Sequence, residues 1–313
     1  MSRPTLVTGA AGFAGSHLVD LLRSQGAEVI AWHHAGKPAP ASVPGITWRG
    51  VDMLDQRSVT ASVEDTRPQR VFHCAGAAHV GQAWDRTTDA LAINVLGTHH
   101  LLEALRRAVP DARVLVTSSA LVYAPSENAM DEQQPLRPAN PYGLSKLAQE
   151  MIGLGTTSGP SVWIARPFNH FGPRQGSTFV TSAFARQIAE IEAGRQAPEM
   201  AVGNLEPRRD LTDVRDTVRA YTRILDDGHA DRPYNVCSGR AVSVQYILDT
   251  LLAMARVPIR VAIDRERYRP NDTPMVLGSA GRLQGELGWE PVITLEQTLH
   301  DLLEYWRDRA TGP

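Results

Sequence analysis

The chain has 313 residues, of which 42% are hydrophobic and 21% charged, a composition typical of a folded protein with a large core. Its 32 basic residues nearly balance its 34 acidic ones, so the net charge of −2 indicates no dedicated nucleic-acid or membrane surface. Cys74 and Cys237 cannot form a disulfide framework, and we expect both to be free and buried. The N-terminus has no basic region followed by a long apolar run, which predicts a cytoplasmic protein.

The N-terminal segment combines a strand, a glycine-rich turn and a helix. Residues 5–8 are a short apolar strand, Gly9, Gly12 and Gly15 follow, and apolar residues at helical spacing come next. Glycines at these spacings allow a tight turn and let the backbone approach a diphosphate. The segment therefore predicts a dinucleotide-binding site at the three glycines.

The second predicted strand, residues 27–32, runs into His33, His34 and Lys37. In dinucleotide folds an acidic residue near this point binds the ribose of NAD, whereas a basic one accommodates the extra phosphate of NADP. The absence of Asp and Glu here favours NADP(H), although main-chain contacts leave NAD(H) open. The adjacent histidines His33-His34 and His99-His100 do not indicate a metal site, because neighbouring residues on a strand or helix point in different directions.

Strands and helices continue to alternate along the chain. The predicted strands are residues 46–52, 70–75, 113–117 and 162–165, and the predicted helices between them are residues 57–65 and 83–105. Such alternation predicts a parallel sheet that is covered on both faces and binds ligands at the carboxyl ends of its strands. After residue 166, prolines and a glycine indicate that the chain leaves the sheet, and residues 233–239 are predicted to return to it.

A helix is predicted to begin at Asn140-Pro141, because Asn is a good N-cap and Pro is tolerated at the first helical position. Tyr142 and Lys146 lie four residues apart and share one face of this helix. A neighbouring ammonium is expected to lower the pKa of the tyrosine toward the range of acid–base work. The strand over residues 113–117 ends in Ser118 and Ser119, and a serine there can donate a hydrogen bond to the same carbonyl oxygen as the tyrosine.

Further along the chain, charged residues have two predicted roles. Arg208 and Arg209 are predicted to lie on a loop, where fixed cationic donors suit a diphosphate. Asp213 is predicted to cap a helix that runs to about Leu225, with Asp216 in its first turn. Both carboxylates are therefore predicted to be structural.

With these motifs, the sequence resembles the extended short-chain dehydrogenase/reductase family, which includes nucleotide-sugar epimerases, dehydratases and reductases. The resemblance covers essentially the whole chain and rests on residues 8–15, 73–76, 94–98, the serine strand end, and Tyr142 with Lys146. It implies that Ser119, Tyr142 and Lys146 form a catalytic triad. It also implies a cofactor site formed by Gly9, Gly12, Phe13, Ala14, Gly15, His33, His34, Asp52, Met53, Ala75, Gly76, Asn94, Thr117, Tyr142, Lys146 and Pro167.

A narrower resemblance is to the branch of GDP-mannose 4,6-dehydratases and GDP-4-keto-6-deoxy-D-mannose reductases. Its carriers are residues 166–173, 203–206, 209–216, 234–239 and 269–270. It implies that the substrate is bound by Asn169, Val180, Arg209, Arg269 and Asp272, the last of which stands where relatives often carry Glu. Dehydratases carry a carboxylate two residues after their hydroxyl residue, where this chain has Leu121, which cannot move a proton. Related reductases often carry Asp or Glu there too.

The sequence thus predicts an α/β protein: a Rossmann-type doubly wound parallel sheet with a smaller C-terminal substrate-binding lobe. We assign residues 1–170 with 213–243 to the dinucleotide-binding domain and residues 171–212 with 244–313 to the nucleotide-sugar-binding lobe. The predicted function is the NADPH-dependent reduction of GDP-4-keto-6-deoxy-D-mannose to GDP-D-rhamnose, with no metal, by a homodimer formed through the helices near residues 83–105 and 141–154. The alternatives are an NAD-dependent nucleotide-sugar C4 epimerase, a 4,6-dehydratase and a non-catalytic NADP-binding protein.

Overall fold

A computed structural model of the chain describes residues 4–77, 84, 87–155, 158–268 and 273–311. The strands are β1 (Thr5–Thr8), β2 (Val29–His33), β3 (Ile46–Gly50), β4 (Arg70–His73), β5 (Arg113–Thr117), β6 (Ser161–Pro167), β7 (Asn169–Phe171), β8 (Glu199–Val202), β9 (Arg208–Asp213), β10 (Pro233–Val236), β11 (Ala241–Ser243), β12 (Arg260–Ile263) and β13 (Met275–Val276). The α-helices are α1 (Phe13–Ser24), α2 (Gln56–Thr66), α3 (Thr87–Leu91), α4 (Gly97–Ala108), α5 (Pro141–Leu154), α6 (Val180–Glu192), α7 (Val214–Asp227), α8 (Val244–Ala253), α9 (Gly281–Leu287) and α10 (Leu295–Thr311).

Seven strands form one parallel sheet in the order β10-β6-β5-β4-β1-β2-β3. All four residues of β1 are buried, as expected for a central strand with helices on both sides. Residues of α1 and α7 pack on one face, and residues of α2 and α4 pack on the other. The predicted Rossmann-type sheet is confirmed. Its strand order reverses between β1 and β4, where a crevice for a ligand is expected at the carboxyl ends.

Two predicted helix starts are confirmed by their caps. The Oδ1 atom of Asn140 accepts a hydrogen bond of 2.8 Å from the backbone N–H of Gly143, and Pro141 is the first residue of α5. Asp213 caps α7 by accepting from the N–H of Arg215 at 2.7 Å. The buried Asp216 accepts from two backbone N–H groups beyond α9, so both aspartates have the structural role that we predicted.

A smaller set of elements lies beyond the seven-stranded sheet. Strand β9 pairs with β7, β11 and β13, and β8 pairs with β12. Apolar side chains of α6, α8 and α10 form a separate core cluster beside these strands. Helix α9 instead packs against α7 and β10. Because β7 follows β6 and β11 follows β10, this second region adjoins the carboxyl ends of those two strands of the large sheet.

Two predictions about local structure are wrong. The segment with Arg208 and Arg209 is strand β9 rather than a loop, because its partners come from three distant parts of the chain. The helix predicted over residues 83–105 is interrupted in its described part by a π-helical turn, Ala92–Leu96. The inward-turned side chain of Asn94 accounts for this turn: it accepts from Ala77 N at 3.0 Å and donates to Ser145 Oγ at 2.8 Å.

Both cysteines are free, as predicted, but only Cys237 is buried, whereas Cys74 is half-buried. Among the helices of the described residues, none has the length and apolar character needed to cross a bilayer.

Candidate active site

The turn between β1 and α1 brings backbone very close to backbone. Gly9 has a φ of +63°, and a Cβ atom placed there would lie 2.7 Å from the backbone nitrogen of Ala75. A Cβ atom on Gly15 would lie 2.2 Å from the carbonyl oxygen of Gly9. The first amides of α1, on Phe13, Ala14 and Gly15, have no acceptor within the helix and are available to an anion. The turn therefore fits a dinucleotide diphosphate.

Replacing Gly15 by alanine tests this turn. We expect dinucleotide affinity to fall by about 10- to 100-fold, because the methyl group forces the turn apart. Fluorescence titration with NADPH measures the affinity. Gly285→Ala in α9 is the matched control, since a Cβ atom there has no neighbour within 4 Å, and it should leave the affinity unchanged. Equal affinity in the Gly15 and Gly285 variants would contradict the assignment.

The carboxyl ends of β2 and β3 carry the residues predicted to meet the adenosine part of the cofactor. The backbone N–H of Gly36 donates to Nδ1 of the exposed His34 at 3.0 Å, so the neutral ring carries its proton on Nε2 and presents a donor to solvent. His33 is half-buried, and its ring lies 6.2 Å from that of Trp48. Asp52 accepts from the N–H of Leu54 at 2.9 Å. The end of β2 thus carries two histidines, whereas a carboxylate follows β3.

Around Asn94 the structure has room only for glycine at position 76. A Cβ atom on Gly76 would lie 2.5 Å from Asn94 Oδ1 and 3.3 Å from Lys146 Nζ. The preceding Ala75 donates its N–H to the hydroxyl of Thr8 at 3.1 Å. The end of β4 therefore lies directly against both the glycine turn and Lys146.

The three predicted catalytic side chains come together at the end of β5. Ser119 precedes a 3₁₀ turn, Ala120–Val122, where its hydroxyl accepts from the N–H of Leu121 at 3.2 Å, and its side chain lowers the pKa of the nearby Tyr142 phenol. Lys146 Nζ donates to the carbonyl oxygen of Thr117 and to Oε1 of Gln149, both at 2.9 Å. This arrangement joins α5 to the strand end on which the serine is held.

Helix α5 approaches the 3₁₀ turn so closely that only glycine fits at position 143. A Cβ atom there would lie 2.2 Å from the carbonyl oxygen of Leu121. The backbone of Leu121 is therefore pressed against the first turn of α5, one residue from Tyr142. The leucine at position 121 thus belongs to the turn that follows Ser119 and contacts the helix that carries Tyr142.

Burial controls the titration of both Tyr142 and Lys146. It raises the pKa of the Tyr142 phenol to about 12, although the hydrogen bond with Ser119 lowers it. It lowers the pKa of the Lys146 ammonium to about 8, while the charges of Cys74 and Glu150 raise it. The predicted lowering of the tyrosine pKa is therefore wrong in this structure, because desolvation dominates and Lys146 is directed to two carbonyl oxygens. The tyrosine is a protonated group at neutral pH.

The predicted substrate residues are on the second region. Asn169 begins β7, is exposed and pairs with Leu211 of β9, two residues after Arg209. Residues two apart on a strand share a face, so Asn169 and Arg209 face the same side. Arg209 Nη1 also donates to the carbonyl oxygen of Thr273 at 2.8 Å. Val180 begins α6 and is 41% exposed.

Four other predicted residues remain, of which two lie in the part of the chain that the structure describes. Pro167 ends β6, in register with Val236 of β10. Met53 is buried, and its carbonyl oxygen accepts from His100 Nδ1 at 2.9 Å. Arg269 and Asp272 lie outside the described residues.

Most of the chain matches a known family. The protein-family model described as GDP-mannose 4,6 dehydratase matches residues 6–302. The chain belongs to this family. The resemblance to extended short-chain dehydrogenases/reductases, and the prediction of an enzyme of that class, are confirmed.

Individual relatives and a solved structure are similar to this chain over nearly its whole length. The chain is 37% identical to the GDP-6-deoxy-D-mannose reductase of Pseudomonas aeruginosa over 99% of each chain. It is 27% identical to the UDP-glucose 4-epimerase of Bacillus subtilis over 98% of each chain. The solved structure of RMD from Pseudomonas aeruginosa complexed with NADPH is similar with a TM-score of 0.85 and 34% identity, covering 98% of this chain and 100% of that one.

Sequence reasoning missed a buried network beneath this GDP-mannose 4,6 dehydratase family site. Ser118, next to Ser119, donates to the carboxylate of Glu150, which also pairs with Arg166 at 2.6 Å. Arg166 donates in turn to the hydroxyl of Tyr123 at 3.0 Å. Glu150 lies four residues after Lys146 on α5, so helical spacing could have indicated an inward-facing carboxylate. Its partner on β6 gave no comparable signal.

Proposed function

We propose that the protein is an NADPH-dependent reductase that converts GDP-4-keto-6-deoxy-D-mannose to GDP-D-rhamnose. The observation that carries this proposal is the meeting of Ser119, Tyr142 and Lys146 at one strand end with leucine, not a carboxylate, at position 121. Dehydration needs a base for the C5 proton and an acid for the departing oxygen. Without the carboxylate, reduction of a carbonyl is the chemistry that remains. Similarity to the Pseudomonas aeruginosa reductase supports the same substrate.

The side chains divide the work at C4 of the sugar. When bound, NADPH supplies the hydride. Tyr142 donates its phenolic proton to the C4 oxygen as negative charge develops there. Ser119 donates a hydrogen bond to the same oxygen. Lys146, whose pKa is lowered only to about 8 by burial, is mostly cationic at neutral pH, and from one helical turn away its charge offsets part of the desolvation that disfavours the tyrosinate left behind.

A coupled assay tests the proposal. Incubation with GDP-mannose, a separate 4,6-dehydratase and NADPH is expected to consume NADPH and to yield GDP-rhamnose, identified by mass and by comparison with a standard. The same mixture without the dehydratase is the control for substrate identity. NADPH oxidation no faster than without the protein would refute the substrate assignment.

A nucleotide-sugar C4 epimerase is the second candidate. The run Ser118–Tyr123 resembles the corresponding run in UDP-galactose epimerases, and the Bacillus subtilis relative supports this alternative. An epimerase retains NAD through both half-reactions, whereas a reductase must exchange its cofactor each turnover. Identification of any copurified dinucleotide separates the two: tightly bound NAD would favour the epimerase.

Cofactor choice gives a direct prediction. The exposed donor of His34 and the absence of Asp and Glu from residues 33–37 support NADPH. We expect His34→Asp to reduce the preference for NADPH over NADH by roughly tenfold, because a carboxylate repels the 2′-phosphate. The ratio of kcat/KM for the two cofactors measures it. His229→Asp, at another exposed histidine, should leave the ratio unchanged, and an unchanged ratio in His34→Asp would contradict the assignment.

The second region is proposed to bind the nucleotide sugar. Asn169 and Arg209 share one face of the neighbouring strands β7 and β9. Val180 begins α6, whose first amides lack a side-chain cap. Both features support contacts with a diphosphate. Arg269 and Asp272 stay predicted contacts. The proposed division stays residues 1–170 with 213–243 and residues 171–212 with 244–313, although helix α9 of the second set packs on α7 and β10 of the first.

We further propose a homodimer through the helices around the π-helical turn and α5. Leu144 and Met151, seven residues apart on α5, are 50% and 68% exposed, and Leu96 on the adjoining π-helical turn is 45% exposed. Contiguous exposed apolar side chains favour association. Cytoplasmic location stays a prediction from the sequence.

Met151→Lys is expected to weaken this dimer, because a buried unpaired charge is costly at an interface. Light scattering should give twice the 34.2 kDa of one chain for the unmodified protein and a lower mass for the variant at the same concentration. Ile263→Lys, at a position 64% exposed on β12, is the control. A monomeric unmodified protein would exclude the proposed interface.

A further inference from the structure

Lys146 is the end of a buried chain of hydrogen bonds that runs across the sheet. The Oε1 atom of Gln149 accepts a hydrogen bond from Lys146 Nζ at 2.9 Å. The Nε2 atom of the same side chain donates to Thr98 Oγ1 at 2.8 Å. Thr98 Oγ1 lies 2.8 Å from His73 Nε2, and His73 Nδ1 lies 2.8 Å from the hydroxyl of Thr8. The side chains of Gln149, Thr98 and His73 are fully buried.

The direction of each hydrogen bond between Lys146 and Thr8 follows from one contact. Thr98 Oγ1 lies 2.6 Å from the carbonyl oxygen of Asn94, which can only accept, so the threonine proton is used there. Thr98 must then accept from both Gln149 Nε2 and His73 Nε2. His73 is therefore protonated on Nε2 and accepts on Nδ1 from Thr8, whose oxygen accepts in turn from the N–H of Ala75.

This pattern fixes the amide of Gln149 in one orientation. A flipped amide would turn its NH₂ group toward the ammonium of Lys146 and its oxygen toward a threonine oxygen that has no proton left to donate. Burial, together with the charge of Lys146, lowers the pKa of His73 to about 3. The histidine is therefore neutral and adds no competing charge. The carbonyl oxygen of Gln149 is thus held against Lys146 by groups that do not titrate near neutral pH.

In the part of the chain that the structure describes, the other titratable groups near Lys146 come from the end of β4 and from α5. Cys74 follows β4, Tyr142 and Glu150 are on α5, and His73 ends β4. Glu150 is held by its ion pair with Arg166 on β6. Among the acceptors of Lys146 that the described residues supply, the amide of Gln149 is the one that a substitution can change, because the other is the backbone carbonyl of Thr117.

We propose that Gln149, locked by Thr98 and His73, is a positioning residue that keeps Lys146 charged and directed along the end of β5. This role rests on the proposed function only for its catalytic consequence, because the state of Lys146 can be measured without substrate. A hydrogen bond to the charged form of a group favours that form. Loss of the acceptor should therefore discharge Lys146 at lower pH, and a carboxylate in its place should keep it charged to higher pH.

The chain contains only two lysines, Lys37 and Lys146, so NMR of protein isotopically labelled at lysine side chains gives two signals. Lys37 is exposed and provides an internal reference. In Gln149→Leu we expect the titration midpoint of Lys146 to fall by about one pH unit or more, and in Gln149→Glu to rise by a similar amount. Gln187→Leu, which removes a glutamine from α6, is the control and should not shift it.

Thr98 variants test the rest of this series of hydrogen bonds. Thr98→Val removes the oxygen that orients Gln149 and should lower the midpoint in the same direction as Gln149→Leu, whereas Thr98→Ser keeps the hydroxyl and should restore it. An unshifted midpoint in both Gln149 variants would overturn the proposal. An unshifted midpoint in Thr98→Val alone would overturn the locking role of Thr98 and His73.

Activity provides an independent readout. In the coupled assay the alkaline limb of kcat/KM should move with the Lys146 midpoint, down in Gln149→Leu and up in Gln149→Glu. Shifted midpoints in a protein that does not reduce the sugar would leave the positioning role supported and refute the proposed function. Active variants with shifted midpoints but identical pH profiles would refute the catalytic consequence of the positioning.

Discussion

Replacing Tyr142 by phenylalanine is expected to lower the rate of sugar reduction by about 10²- to 10⁴-fold, the usual contribution of a general acid. The variant keeps the aromatic ring and loses only the hydroxyl whose pKa Ser119 lowers and burial raises. Affinity for NADPH should change little, because the glycine turn is untouched. Steady-state rates give the first quantity, and fluorescence titration gives the second.

Tyr246→Phe is the matched control for this experiment. Tyr246 is an exposed tyrosine whose hydroxyl donates to Glu296 at 2.8 Å, so its loss should not alter the rate. Full activity of Tyr142→Phe would eliminate the proposed mechanism. Since burial raises the pKa of Tyr142 to about 12, its proton is retained at neutral pH. An alkaline limb near pH 8 would then report on Lys146, whose pKa burial lowers to about 8.

Arg166→Met is expected to reduce the free energy of unfolding by about 3–5 kcal/mol, because it leaves the carboxylate of Glu150 buried without its partner. The side chains of Arg166 and Glu150 are 4% and 2% exposed. Burial alone would lower the pKa of Arg166, but its hydrogen bonds and charge interaction with Glu150 raise it above the ordinary value. Urea unfolding followed by circular dichroism measures the change.

Two further variants make this result specific to the buried pair. Arg260→Met breaks an ion pair with Glu199 in which the two side chains are 75% and 44% exposed, and it should leave the unfolding midpoint near that of the unmodified protein. The double variant Arg166→Met/Glu150→Met removes both charges and should recover much of the lost stability. If the single Arg166 variant were as stable as the unmodified protein, the ion pair would not anchor α5 to β6.

Those parts of the fold whose cause is local could be predicted from the sequence. The capped start of α5 at Asn140 depends on neighbouring residues, and so do the glycine turn and the apolar strands. Strand β9 could not be predicted, because its pairing with β7, β11 and β13 depends on segments far along the chain. The π-helical turn depends on Asn94 bonding across to Ala77 and Ser145.

The site shows the same division. Tyr142 and Lys146 could be found by their helical spacing and a serine by its position at a strand end, whereas the choice of Ser119 depended on the family resemblance; the structure brings the three together. The titration of Tyr142 could not, since it depends on how completely the folded chain excludes water from the phenol. Nor could the roles of Glu150 and Gln149, because each is defined by partners on β6 and α4 rather than by its own sequence neighbours.

The late position of β10 in the chain has a consequence for synthesis on the ribosome. The first six strands of the large sheet end at Pro167, but the strand that covers the edge of β6 is made only when residues 233–236 emerge. Until then a nascent chain carries a long, apolar and unpaired edge, which readily pairs with other chains. Stalled or truncated chains ending before Pro233 should therefore aggregate or depend on chaperones, while the completed chain closes its own edge.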